Sequence, residues 1–218
     1  MWCITEITPE YRERMYKLLN LYALKYNAQY PVICVDEKSK QLLNDVRNPI
    51  AMKPGSPQKY DGEYKRMGTK NIFVAVEPMA GKRYIKVTDQ RKKSDFAYYI
   101  KELVSLYPKA KKIQLVTDNL NIHFESSFYE TFNTQEAKSI LNKIEFHYTP
   151  KHGSWLNMAE IEINMMDKEC LDRRIGEKEI LKNEIAAWSK QRNKEMKKIM
   201  WTFTKKKADE KLSKYYVA

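Results

Sequence analysis

The sequence predicts an α/β fold: a mixed five-stranded sheet, three strands antiparallel and two parallel, with helices on its faces. Three observations lead there. Three strand-like runs come early, the second and third joined by a short turn. Helix and strand then alternate, which implies crossovers into parallel pairing. The last third is helical in its apolar spacing.

Residues 8–24 (TPEYRERMYKLLNLYAL) open with Thr8 as N-cap and Pro9 at the first helical position, and put Met15, Leu18, Leu19 and Tyr22 on one side. Pro31 to Asp36 is a continuous apolar run closed by an acid, as in a central strand buried on both faces. Residues 44–70, with three prolines, three glycines and many charges, read as a long loop or hairpin. Asn71–Glu77 and Arg83–Thr88 are strands joined by a turn at Pro78–Gly81. Residues 94–107 form a helix that starts at Ser94 as N-cap, faces inward with Phe96, Tyr99, Ile100 and Leu103, and stops at Pro108. Lys112–Asp118 is a second apolar run closed by an acid. A polar helical stretch over 122–144 precedes a short strand, Glu145–Tyr148. From Trp155 the pattern is helical to near residue 200, with a break at Gly176. There are no repeats and no low-complexity segment.

At 218 residues the chain suits one domain, or one and a half. Its 40 Lys+Arg against 28 Asp+Glu give a formal net charge of +12, which favours a polyanionic partner. Nucleic acid fits ahead of an anionic membrane surface. Nothing approaches the roughly 18 consecutive apolar residues of a membrane span, and residues 1–6 lack a signal-peptide pattern, so a cytoplasmic protein is expected. Cys3, Cys34 and Cys170 form no C-x-x-C pair and are odd in number, as expected of reduced, mostly buried thiols.

The acids carry the chemistry. Asp36 and Asp118 sit where apolar strand runs give out, and parallel strands present their C-terminal ends to ligand crevices. Two carboxylates there repel unless a hard divalent cation bridges them. Aspartates ending strands also serve as turn formers or caps, and that reading stands beside the metal one. A third carboxylate comes from HGSWLNMAEIEINMM, residues 152–166. With Leu156, Ala159, Ile163 and Met166 on one helix face, Glu160 and Glu162 fall on opposite flanks at about 100° per residue. Periodicity leaves them tied.

Four segments carry a family resemblance: VICVDEKSKQLL (32–43), YDGEYKRMGT (60–69), LVTDNLNIH (115–123) and FHYTPKHGSWLNMAEIE (146–162). Together they resemble the catalytic domain of bacterial insertion-sequence transposases of the mariner-related branch, within the DDE superfamily of endonucleases. The likeness runs from Trp2 to about Gly176. It implies a ribonuclease H-like fold with the first acid on the first strand, the second at the end of the fourth and the third on a later helix. The family's Leu-Asn-x-x-Glu matches Leu156, Asn157 and Glu160, which breaks the tie toward Glu160. The spacing from Asp118 to Glu160 is longer than usual in the wider group; an extra helix in 124–144 would absorb it.

The implied activity is DNA strand cleavage at transposon ends, then transfer of the 3′-hydroxyl into target DNA. Asp36, Asp118 and Glu160 would hold two Mg²⁺ ions, with Mn²⁺ as substitute. Asn119, His123 and Asn157 would stand behind them. Arg66, Lys151, His152, Trp155, Arg173 and Arg174 are candidate DNA contacts; Trp155 reads first as a core anchor for the helix that follows and second as a stacking platform, and each arginine also as surface charge. Partners would be double-stranded DNA, as ends and as target, and a second copy of the chain on DNA. About 30 residues precede Asp36, too few for the helix-turn-helix modules of such enzymes, so a separate N-terminal DNA-binding polypeptide is expected, or a remnant of a longer protein.

The implied organisation is an N-terminal helix and lead-in (1–30), the catalytic domain (31–176) and a basic helical extension (177–218). Residues 190–214 of that extension hold ten basic and three acidic side chains, suited to a DNA-tracking tail or to a frayed helix. The alternatives are a catalytically idle DNA-binding remnant and another ribonuclease H-like nuclease.

Overall fold

The computed structural model describes residues 6–217. Its centre is a five-stranded sheet of order β3-β2-β1-β4-β5, built from β1 (Val32–Asp45), β2 (Tyr64–Glu77), β3 (Lys82–Thr88), β4 (Ile113–Thr117) and β5 (Ile144–Tyr148). The first three strands pair antiparallel, and β4 and β5 add in parallel beside β1. The predicted mixed sheet is therefore the observed one. Two strands run longer than their apolar cores: β1 and β2 continue as a hairpin past Gln41, with a bulge between Gln41 and Leu43, so the irregular excursion shrinks to residues 46–63. Polar residues form strand there because two neighbouring chains satisfy each other's backbone groups, which composition alone does not reveal.

Alternation along the strands sorts the core into two faces. Ile33, Val35, Phe73, Ala75 and Leu115 face a layer made by α2 (Lys93–Ser105), α3 (Ser126–Thr131) and α4 (Thr134–Leu141). The cap of α2 lies two residues before the expected Ser94: Asp95 reaches back to accept from the Lys92 backbone N–H at 3.0 Å. The polar stretch 122–144 is a 3₁₀ turn and two short helices, with Phe128, Ala137 and Ile140 turned inward.

The opposite face carries two apolar clusters. Cys34, Val76 and Val116 pack with α1 (Pro9–Ala23), which starts as expected with the Thr8 hydroxyl accepting from Tyr11 N–H at 3.2 Å. Ile72 and Val74 pack with α6 (Lys178–Lys194) through Leu181 and Ile185. The helix α5 (Ala159–Met166) and the 3₁₀ turn before it bridge the two, with Leu156 of the turn and Ala159 in the first cluster and Met166 in the second. A π-type turn, Asp167–Leu171, ends it.

The basic C-terminal region is folded against the body. Ala208 of α7 (Lys205–Leu212) is buried in the cluster of α1, Trp201 and Phe203 pack beside it, and Ile7 bridges to Tyr216. Cys34 and Cys170 are free and buried; Cys3 lies outside the described residues. Among the described residues no helix is long and apolar enough to cross a membrane.

Candidate active site

Asp36 lies within β1, not at its end: it pairs with Val74 of β2, and the strand runs on to Asp45. What ends near Asp36 is its other neighbour. The parallel register sets Cys34 opposite Val116, so two residues further Asp36 stands level with Asp118, just past the last residue of β4. Alternation aims the Asp36 carboxylate at the face that α5 crosses, whereas Asp118, one residue past β4, is free of that constraint. The acids thus fall at the mouth between β1 and β4, in the seam between the two apolar clusters.

Each acid is held differently. Asp36, 9% exposed, accepts from Glu37 N–H at 2.8 Å and, through Oδ2, from the Asn157 side-chain amide at 3.4 Å. That amide also donates to Val35 O at 2.8 Å, and Asn157 Oδ1 accepts from Ala159 N–H at 3.1 Å. Asn157 therefore both starts α5 and ties it to β1. Burial, then repulsion from Glu37 and from Asp118 and Glu160, pushes the Asp36 carboxyl up to about 7. Asp36 thus lies within reach of the charges of both Asp118 and Glu160.

Asp118 turns toward His123. The ring is fully buried against Phe96; its Nδ1 lies 2.7 Å from Asp118 Oδ1 and 2.8 Å from Thr117 Oγ1, and its Nε2 lies 2.9 Å from Glu37 Oε2. Burial disfavours the imidazolium, but the hydrogen bonds to Asp118 and Glu37 outweigh it and raise His123 to about 9. Desolvation likewise opposes the Asp118 charge, and the bonds from His123 and from Leu120 N–H more than offset it, so that carboxyl lies below its ordinary value. Glu37 was not anticipated. Its signal is a second acid beside Asp36 on the opposite strand face, where burial demands a cationic partner.

Glu160 is half-buried in the first turn of α5, and Glu162, two residues on, is fully buried and paired with Arg83 and Arg192. Glu162 has its counter-charge; Glu160 is the acid whose charge reaches Asp36. Among the described residues no three His, Cys, Asp or Glu side chains form a ready-made metal cage. The carboxylates are neighbours that repel: Asp118 is drawn aside by His123, and Asp36 is braced by Asn157. Their donors are hard oxygens, which fit Mg²⁺ or Mn²⁺ and exclude a soft-metal site.

The other expected residues divide by what they touch. Lys151 and His152 are exposed on the loop after β5, at the Asp118 end of the sheet, and His152 adopts a left-handed backbone. Arg66 is exposed on the outer part of the β1–β2 hairpin. Arg173 pairs with Glu184. The Arg174 guanidinium donates to Asp45 at 2.7 Å, Glu63 O at 3.1 Å and Asp61 O at 2.8 Å, and so pins the 46–63 excursion. Trp155 is an anchor, with its indole N–H on Tyr11 Oη at 3.1 Å and its ring edge-on to Phe203. Asn119 is exposed; its side chain donates to Thr149 O and accepts from Arg14 at 3.0 Å, bracing the loop after β4 and contacting neither Asp36 nor Glu160.

Comparisons with known proteins bear on the fold and the family. No curated protein matches the sequence. Among solved structures, the Mos1 mariner paired-end complex with Mn superposes with a TM-score of 0.56 at 16% identity, covering 90% of this chain and 60% of that one. The Mos1 strand transfer complex gives 0.56 at 15% identity, covering 86% and 57%, and the paired-end complex with Mg gives 0.55 at 15%, covering 90% and 62%. These likenesses show a shared ribonuclease H-like fold, and the chain spans about 60% of the Mos1 chain's length. A family profile described as DDE superfamily endonuclease matches residues 31–182, more than half of the chain and all three acids. The protein belongs to the DDE superfamily endonucleases.

Proposed function

We propose that this chain is the catalytic part of a transposase, cutting DNA at transposon ends and transferring the freed 3′-hydroxyl into target DNA. The observation that carries the reading is a buried Asp36, short of counter-charge, at a strand mouth shared with Asp118 and Glu160. Mos1 complexes containing Mn, Mg and a transposon end support the same class of ligand and substrate.

The chain's own side chains would work as follows. Asp36, Asp118 and Glu160 hold two divalent cations by hard oxygens, and Asn157 keeps Asp36 in place. His123, steadied by Glu37, keeps Asp118 from swinging into solvent. Such ions, when bound, polarise the scissile phosphate and make water or a 3′-hydroxyl nucleophilic near neutral pH. No side chain need attack: burial pushes the Cys34 thiol up to about 12, so it stays inert. Exposed Arg66, Lys151 and His152, with Arg173 at the side, would contact backbone phosphates. Two copies pair on DNA, as the paired-end complexes of Mos1 suggest.

A second reading, a DNA-binding protein that no longer cuts, is favoured by the absence of an assembled cage among the described residues. One experiment separates them. The full chain is incubated with linear duplex and Mg²⁺ or Mn²⁺, alongside Asp36→Asn and Asp118→Asn, with metal binding followed by calorimetry. Metal-dependent nicking that both substitutions abolish is expected. Nicking unchanged by either substitution overturns the assignment, and absence of any metal binding selects the idle protein.

A further inference from the structure

Glu162 lies at the centre of a buried network that the proposed chemistry does not use. Its Oε1 accepts from Arg83 Nε and from Arg192 Nε, both at 2.7 Å; its Oε2 accepts from Arg83 Nη2 at 3.0 Å and Arg192 Nη2 at 3.4 Å. Arg83 is the second residue of β3, and Arg192 lies in the last turn of α6. Arg83 is held in turn: Nη1 donates to Gly81 O at 2.7 Å and Nη2 to Lys197 O. The Asn193 side chain brackets the Arg83 backbone, accepting from its N–H at 2.7 Å and donating to its carbonyl at 2.9 Å. Gly81 has a positive φ and no room for a side chain against the Met196 backbone, so the segment after α6 lies directly on the β2–β3 turn.

Stability is a weak reason for such a triad, because apolar side chains of similar volume serve as well or better. Direction is the stronger one. Two planar guanidinium forks fix the plane of one carboxylate. The helix that bears it needs such a fix: α5 has eight residues, starts on an irregular turn and ends in a π-type turn. Its apolar stripe leaves Glu160 and Glu162 on equal flanks, so packing alone does not choose which one faces the sheet mouth.

We propose that Arg192, with Arg83, is a positioning residue that locks the rotation of α5 through Glu162 and so sets Glu160 toward Asp36. The proposal rests on the reading of Glu160 as a metal ligand. It extends the functional unit past residue 182, where the family profile ends, and makes α6 part of the site's support.

The test uses the full chain as wild type, Arg192→Met and Arg192→Lys. Mn²⁺ affinity is measured by calorimetry, metal-dependent nicking on linear duplex, and the thermal midpoint as a control for folding. Arg192→Met is expected to weaken Mn²⁺ binding and nicking by about ten- to a hundred-fold, the scale for groups that orient metal ligands. Arg192→Lys, which keeps the charge and loses the fork, should recover part of that loss. Should Arg192→Met fail to fold, the combined replacement Arg83→Met, Glu162→Leu and Arg192→Leu takes its place: a stable protein with weakened Mn²⁺ affinity supports the lock. Wild-type binding with Arg192→Met unchanged, or with the combined replacement unchanged, overturns the proposal alone. A wild-type chain that binds no Mn²⁺ overturns the carboxylate site and the lock with it.

Discussion

Glu160 and Glu162 share a helix, a turn and a chemistry, yet the fold gives them opposite surroundings. Glu162 is fully buried and receives four N–H groups from Arg83 and Arg192. Glu160 is half-buried, and its charge adds, after burial, Glu37 and Asp118, to what raises the carboxyl of Asp36. A buried acid whose partners are built into the protein is finished; an acid set beside other acids still needs a cation. The same contrast separates the two faces of β1, where Glu37 is answered by His123 and Asp36, among the described residues, by no basic side chain.

Four measurements would break or sharpen that contrast. The largest effect is expected at Glu162. Glu162→Ala leaves two guanidinium groups without their carboxylate and should cost about 3–5 kcal/mol of stability, read from chemical denaturation. A loss below about 1 kcal/mol would mean that the arginines find other partners.

Glu160→Gln should spare stability and cost more activity than breaking the Glu162 network does. Stability stays within about 0.5 kcal/mol, the range of substitutions away from buried networks. Metal-dependent nicking falls on the order of 10²- to 10³-fold, the scale for losing one electrostatic stabiliser of the transition state. Equal losses of activity in both glutamate variants at equal stability would erase the distinction.

The third measurement is pH. The Asp36 carboxyl is raised in the folded chain to about 7 from an ordinary 3.8, so its ionisation works against folding. That penalty is absent below about pH 3.8, grows as pH rises, and is complete above about 7. His123 acts over a higher window: raised to about 9 from 6.5, it stabilises fully below its ordinary value and loses that contribution as pH rises through 9. The metal-free chain should therefore lose stability from mildly acid to alkaline pH. Asp36→Asn should remove the first part of the decline and be more stable than wild type at pH 8 by on the order of 2 kcal/mol. Calorimetric melts across pH check both, and added Mn²⁺ should stabilise wild type more at pH 8 than at pH 6.

The smallest effect concerns the basic residues. Arg66 and Lys151 are exposed, whereas Arg174 is tied to Asp45, Glu63 and Asp61. Arg66→Ala and Lys151→Ala should each reduce the salt dependence of duplex binding by about one phosphate contact. Arg174→Ala should leave that slope unchanged and loosen the 46–63 excursion. Anisotropy titrations at several salt concentrations distinguish them.

Much of this was legible in advance. The three antiparallel and two parallel strands, the Thr8 cap and the helix-facing Phe96, Tyr99, Ile100 and Leu103 follow from local patterns that survive into the fold. The extended hairpin of β1 and β2 did not, because polar residues there become strand only through each other. Asp36 reads as a strand terminus because the apolar run stops, while the backbone ladder continues to Asp45. The partners of Arg174, namely Asp45, Asp61 and Glu63, and those of Trp155, Tyr11 and Phe203, could not be named from the sequence because they are distant in the chain.

By itself the sequence determined the order of elements and the presence of acids at the centre of a basic chain, since both are written in spacing of 2 and 3.6 residues and in composition. Only the tertiary structure decided which acids are answered and which are not. That depends on Arg83 and Arg192 reaching Glu162, and on His123 reaching Glu37 and Asp118. Side chains that meet across the fold settle charge where no local pattern does.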